Sequence, residues 1–94
     1  MPNTHFFYIL QCSDGSFYIG STTNLKNRVK THNQGKGASY TAKRRPVRLV
    51  YHEAFESLGE AVKRERQVKK WPRAKKEALM NAEMKNLHNL SKSK

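Results

Sequence analysis

The chain has 94 residues, 36% of them apolar, and sets 19 Lys and Arg against seven Asp and Glu for a formal charge of +12. That length makes one domain with a small core, and the single cysteine, Cys12, excludes both a disulfide framework and a cysteine-clustered zinc site. No apolar run reaches the ~18 residues of a membrane span, and no basic segment leading into an apolar stretch marks a secretion signal, so a cytoplasmic protein is the default expectation. The charge excess implies a polyanionic partner, and nucleic acid is favoured over a membrane surface because the basic stretches lack an exposed bulky apolar face.

His5 to Cys12 is rich in aromatic and branched residues and predicts a strand, with Cys12 a small core residue. Ser13-Asp14-Gly15-Ser16 predicts a hairpin turn, and Phe17 to Ser21 the return strand. Turn length decides which side chains share a face. A two-residue loop at Asp14-Gly15 would pair Gln11 with Tyr18 and turn Tyr8 and Tyr18 to opposite faces. A three-residue loop with Gly15 in the left-handed region shifts the register by one and puts both tyrosines on one face. If the two tyrosines share a site, the second turn is required.

Thr22-Thr23-Asn24 offers N-caps for a short helix from Leu25 to about Asn33, with Gly35 as terminator. Leu25, Val29 and His32 fall on its inner stripe, and Arg28 is the helical neighbour of His32. Gln34 to Arg45 reads as a mobile basic loop containing Tyr40 and Thr41. Pro46 to Phe55 predicts a third strand, with Val47, Leu49 and Tyr51 alternating against Arg48, Val50 and His52. Ser57-Leu58-Gly59-Glu60 has the form of a capping box and opens a helix to about Lys70 or Trp71. Its apolar stripe comprises Leu58, Ala61, Val62 and Val68. After Pro72 a last helix is expected over 73–85, with Ala74, Ala78, Leu79 and Ala82 facing inwards, and residues beyond it form a polar tail that frays. The domain is therefore drawn over residues 4–80, with 81–94 as the tail. The fold class is α/β, a small three-stranded antiparallel sheet flanked by helices in the order β-β-α-β-α-α.

Glu65 falls on the apolar stripe, where an ionised carboxylate needs a partner. It either sits at the stripe's edge paired with a Lys or Arg, or it is a Mg²⁺ ligand, since magnesium often takes one protein carboxylate and completes its shell with water and phosphate oxygens. Arg28 is either a surface charge or, with His32 one turn on, a phosphate clamp. Tyr8, Tyr18 and Tyr40 are either core aromatics or, where two of them cluster beside Arg and Glu, groups that orient an attacking water.

Taken together these residues resemble the GIY-YIG endonuclease superfamily. The second half of its signature is literal in Tyr18-Ile19-Gly20. The first half is degenerate, with Phe6-Phe7-Tyr8 where Gly-Ile-Tyr is usual. Arg28 and His32 match the Arg and His four apart on the first helix, Glu65 matches the Glu of a later helix, and Tyr40 stands where an aromatic or His is common. The likeness extends over residues 4–80 and is closest to small single-domain bacterial members, whose segments recur as Asp14-Gly15-Ser16, Lys36-Gly37-Ala38-Ser39-Tyr40-Thr41 and Arg44-Arg45-Pro46. A counterpart to the Asn that many members carry after the Glu is absent.

The resemblance implies a metal-dependent endonuclease that hydrolyses phosphodiesters, structure-selective or non-specific. Tyr8, Tyr18, Arg28, His32, Tyr40 and Glu65 are its implied catalytic residues, and Glu65 the ligand of Mg²⁺ or another divalent cation such as Mn²⁺. Tyr8 or Tyr18 would handle the water, and the sequence does not say which. Lys36, Lys43, Arg44 and Arg45 of the basic loop and Lys63, Arg64, Lys69 and Lys70 of the later helix would hold the nucleic-acid backbone, DNA being the expected partner, alone or within a larger DNA-processing complex. The competing expectation is a nucleic-acid-binding module of the same fold without cleavage.

Overall fold

The computed structural model describes residues 4–81. Its elements run β1 (His5–Gln11), β2 (Phe17–Thr22), α1 (Leu25–Asn33), α2 (Ser39–Ala42), β3 (Arg48–Phe55) and α3 (Leu58–Lys69), and residues 73–81 are again helical. The three strands form one antiparallel sheet in the order β2-β1-β3. Ala82 and the expected tail lie outside the described residues.

The hairpin adopts the three-residue loop. Gly15 sits at φ 87°, its N–H bonds the Cys12 carbonyl, and the Cys12 N–H bonds the Ser16 carbonyl at 2.8 Å. The Asp14 carboxylate accepts from both the Ser16 N–H and hydroxyl and holds the turn. Leu10 therefore faces Tyr18 and Tyr8 faces Gly20, so Tyr8 and Tyr18 share a face of the sheet.

That register gives the sheet two covered faces. On one, Phe7, Ile9, Ile19 and Tyr51 pack with Val68 of α3, joined by Trp71, Leu79 and Met80. On the other, Tyr8, Leu10, Cys12 and Val47 pack with Tyr18, Leu49 and, from α1, Leu25 and Val29. Cys12 is a buried core thiol, as expected of it.

The alternation expected of β3 breaks. Ile9 pairs with Tyr51 but Leu10 with Leu49, so Val50 is an extra residue, a β-bulge. It sends Val47 and Leu49 to the α1 face and Tyr51 to the α3 face, so these three do not lie together. Tyr51 then donates from its hydroxyl to Glu53 at 2.5 Å, and Glu53 receives two guanidinium N–H bonds from Arg64 of α3, at 2.9 and 3.1 Å.

The helix starts follow the sequence. Asn24, of the three candidate caps, accepts from the Asn27 N–H at 3.0 Å, and the Ser57 hydroxyl caps α3, accepting from the Glu60 N–H and donating to the Glu60 carboxylate, both at 3.2 Å. Leu58 is 55% exposed and does not belong to the inner stripe, which is carried by Ala61 and Val68 with Glu65 between them. In the last helix Leu79 packs inwards with Met80, whereas Ala74 and Ala78 are exposed.

The segment expected to be a mobile basic loop contains α2 and is tied down along its length. The Ser13 N–H bonds the Arg44 carbonyl. Arg44 reaches Asp14 at 3.0 Å and the Tyr40 carbonyl at 2.9 Å, and Arg45 donates to the Ala42 and Asn33 carbonyls. The Asn33 side chain pairs with both the N–H and the C=O of Val47, at 2.7 and 2.9 Å, which locks the end of α1 to the entry of β3. These partners lie up to 30 residues apart, which is why no local pattern announced them.

Candidate active site

The α1 face of the sheet carries a cluster of rings. Tyr8 projects from β1, Tyr18 from β2, His32 from the last turn of α1 and Tyr40 from α2. The His32 ring lies 5.0 Å from that of Tyr18 and edge-on to that of Tyr8. Tyr40 stacks on Tyr18 at 6.2 Å, and the Arg44 guanidinium covers Tyr40's outer face 3.8 Å from the centroid. Tyr8 and His32 are 2% and 1% exposed.

Polar contacts run through the centre of the cluster. The Tyr8 hydroxyl is 3.2 Å from His32 Nε2, His32 Nδ1 is 2.7 Å from the Thr41 hydroxyl, and that hydroxyl reaches the Ala38 carbonyl at 3.1 Å. Two glycines make room for it. A Cβ at Gly20 would lie 2.5 Å from the Tyr8 Oη, and one at Gly37 would collide with His32 Nδ1. The glycine of Tyr18-Ile19-Gly20 is thus needed because the Tyr8 ring lies across it from the neighbouring strand.

Charges surround the same phenol. Burial first, then the neighbouring Tyr18, raise the Tyr8 pKa well above the ordinary tyrosine value; Arg28 pulls it down and Glu65 pushes it up. Burial, then the Arg28 charge, hold His32 below its ordinary value, so it is neutral at neutral pH. Arg28 itself is exposed and has no ion-pair partner among the described residues. Glu65, its side chain 17% exposed, is paired with Lys69 one turn on at 2.8 Å. That is the edge-of-stripe pairing which the sequence left open beside metal binding.

The other basic residues divide. Lys69 lines an open groove of about 230 Å³ with Phe17, Tyr18, Ile19, Tyr40 and Lys76. Lys36, Lys43 and Lys70 are exposed. Arg44 and Arg45 are bonded to the loop and hairpin that they brace. Lys63 and Arg64 line a different groove, with Phe55, Glu60 and Gln67, and Arg64 is spoken for by Glu53. The basic face expected of α3 is therefore split, with Lys69 on the groove of Tyr18 and Tyr40 and Lys63 and Arg64 on the other. Thr41, Gly37 and Lys76 belong to the site without having been singled out. A hydroxyl in a loop carries no sign of burial; the signal for Gly37 and Thr41 was their place in the recurring Lys36-Gly37-Ala38-Ser39-Tyr40-Thr41 segment.

The GIY-YIG catalytic domain model matches residues 4–78 of the chain. The chain belongs to the GIY-YIG family. It is 53% identical over 75 residues to the UPF0213 protein YazA of Bacillus subtilis, covering 80% of this chain and 76% of that one. It is 51% identical over 74 residues to a UPF0213 protein of Staphylococcus aureus, covering 79% and 90%. Two solution NMR structures are similar: a UPF0213 protein of Bacillus halodurans (49% identity, TM-score 0.56, 84% of each chain) and a protein of E. faecalis (48% identity, TM-score 0.59, 87% and 90%). Phe6, where the GIY half-motif has glycine, stands edge-on to His52 with ring centroids 5.8 Å apart, so the sheet accommodates the larger side chain.

No group of three His, Cys, Asp or Glu side chains among the described residues makes a protein-only metal cage. The single carboxylate of Glu65, already matched to a cation, fits the other kind of site, in which magnesium keeps most of its water and takes substrate phosphate oxygens.

Proposed function

We propose that this GIY-YIG protein hydrolyses phosphodiester bonds of nucleic acid, DNA in the first instance, with a divalent cation such as Mg²⁺ or Mn²⁺. The observation that carries the reading is one hydroxyl: Tyr8 Oη, bonded to His32 and lying within the charge fields of both Arg28 and Glu65. Hydrolysis needs a group that accepts from water, a cation facing the developing negative charge, and a carboxylate for the metal, and Tyr8, Arg28 and Glu65 offer one of each. Arg28, exposed and unpaired among the described residues, holds the phosphate. Tyr8 receives the attacking water, with Tyr18 beside it. His32 and Tyr40 keep the two phenols in place. Glu65 would hold the metal, which would supply neutralisation of the developing negative charge.

Lys69 and Lys76 flank the tyrosine groove and Lys36 and Lys43 stand out from the loop nearby. They act as phosphate contacts, which position a substrate without reading its sequence. The reading is therefore of structure-selective or non-specific cleavage, in the cytoplasm.

The test is Mg²⁺-dependent nicking of supercoiled plasmid and of branched DNA, wild type beside Glu65→Ala. Cleavage by the wild type that is lost in the variant, with binding retained, supports the nuclease. Salt-sensitive binding without cleavage of DNA or RNA by either protein would replace it with a nucleic-acid-binding module. Cleavage unchanged by the substitution would remove Glu65 from the site.

A further inference from the structure

The contacts behind Tyr8 form a chain with a direction. It ends on the Ala38 carbonyl, which can only accept a proton. The Thr41 hydroxyl has one hydrogen, and its contact with that carbonyl is a hydrogen bond only if the hydroxyl donates it there. His32 Nδ1, 2.7 Å from the same oxygen, must then carry a hydrogen and donate to it. Neutral imidazole holds one N–H, so Nε2 is bare and accepts from the Tyr8 hydroxyl. With the buried ring neutral, this is the one assignment of protons in which all three contacts are hydrogen bonds.

We propose that Thr41 is a positioning residue, which fixes the tautomer of His32 and thereby makes the outward side of the Tyr8 hydroxyl a hydrogen-bond acceptor. With the Tyr8 hydrogen pointing at His32, the lone pairs of Oη face away from the imidazole, where they can take a hydrogen bond from water. In the other tautomer His32 would donate to Tyr8, and the phenol would turn its own hydrogen outwards and present a donor to that water. A residue two hydrogen bonds behind the phenol thus decides its polarity. The setting enforces the choice: Thr41 is fully buried, and the backbone at Gly37 closes over Nδ1, so no bulk solvent stands in for the lost partner. The tautomer follows from the fold alone; only its consequence for an attacking water rests on the nuclease reading.

The experiment is imidazole nitrogen NMR on wild type, Thr41→Ser and Thr41→Val, with the nicking assay on the same samples and Tyr8→Phe for reference. Wild type and Thr41→Ser are expected to show a protonated Nδ1 and a bare Nε2. Thr41→Val keeps the shape and removes the acceptor, so the proton moves and the two resonances exchange character. Cleavage falls at least ~100-fold in Thr41→Val, towards the level of Tyr8→Phe, and stays within a few-fold of wild type in Thr41→Ser. A protonated Nε2 in wild type overturns the proposal, as does a Thr41→Val protein whose tautomer is unchanged, or one whose tautomer has moved while cleavage holds. Should Thr41→Val not fold, the wild-type and Thr41→Ser spectra decide by the same criterion. The stated tautomer in a set of proteins that never cleave supports the positioning and overturns the nuclease instead.

Discussion

Replacing Gly20 by Ala tests the packing on which the site is built. Taken alone the change should help, since Gly in a strand interior is about 0.5–1 kcal/mol worse than Ala. The structure reverses the sign. The new Cβ would lie 2.5 Å from the Tyr8 Oη, 2.7 Å from Cζ and 3.2 Å from Cε2. Carbon contacts settle near 3.5–4.0 Å, so the ring tip must retreat by about 1 Å. Tyr8 is 2% exposed and cannot swing into solvent, and a shift of that size takes the 3.2 Å contact with His32 out of hydrogen-bond geometry. Overpacking costs about 1–3 kcal/mol and the lost bond about 1. Less the gain in backbone entropy, the net destabilisation is about 1–3 kcal/mol. Denaturant unfolding measures it, with Gly59→Ala as control, because a Cβ there meets nothing within 4 Å and that variant should be neutral or slightly more stable. A Gly20→Ala protein with a midpoint at or above wild type would refute the reasoning.

Three further outcomes follow from other parts of the molecule. His32 has its folded pKa below its ordinary value of 6.5, so the unfolded chain takes up a proton first. Stability should therefore fall as pH drops below about 6.5, by at most about 1.4 kcal/mol per unit for that proton, and unfolding midpoints across this range should lose that component in His32→Gln. Glu53→Ala leaves the half-buried Arg64 without its ion-pair partner and removes a carboxylate that accepts from the Tyr51 hydroxyl. It should destabilise by about 1–3 kcal/mol in thermal melts, and a Tm unchanged within error would count against that network. Lys69→Ala removes the cation now on Glu65. An exposed i,i+4 pair contributes about 0.3–0.5 kcal/mol, so Mn²⁺ binding, followed by paramagnetic broadening near Glu65 at low salt, should tighten roughly twofold; weaker binding would mean that Lys69 assists the metal.

What the sequence determined by itself was local. Asp14-Gly15 placed the hairpin turn and narrowed it to two registers, of which the structure adopts the one that puts Tyr8 and Tyr18 on one face. Asn24 and the Ser57–Glu60 box set the helix starts, because a cap is made by residues two or three apart. The Tyr18-Ile19-Gly20 motif and the Arg28, His32 and Glu65 spacings carried the family. What the tertiary structure decided depends on residues far apart in the chain. The bulge at Val50 sends Leu49 and Tyr51 to opposite faces, and a period-two pattern of apolar residues is silent on it because both faces are covered. Leu58 has the spacing of a core residue and lies beyond the sheet's reach. The partner of Glu65, the division of the basic residues between two grooves, and the buried hydroxyl of Thr41 behind His32 exist only once α1, α2 and the hairpin have closed on one another. A hydrogen bond is specified by where two atoms end up, and the sequence shows only what each residue is able to offer.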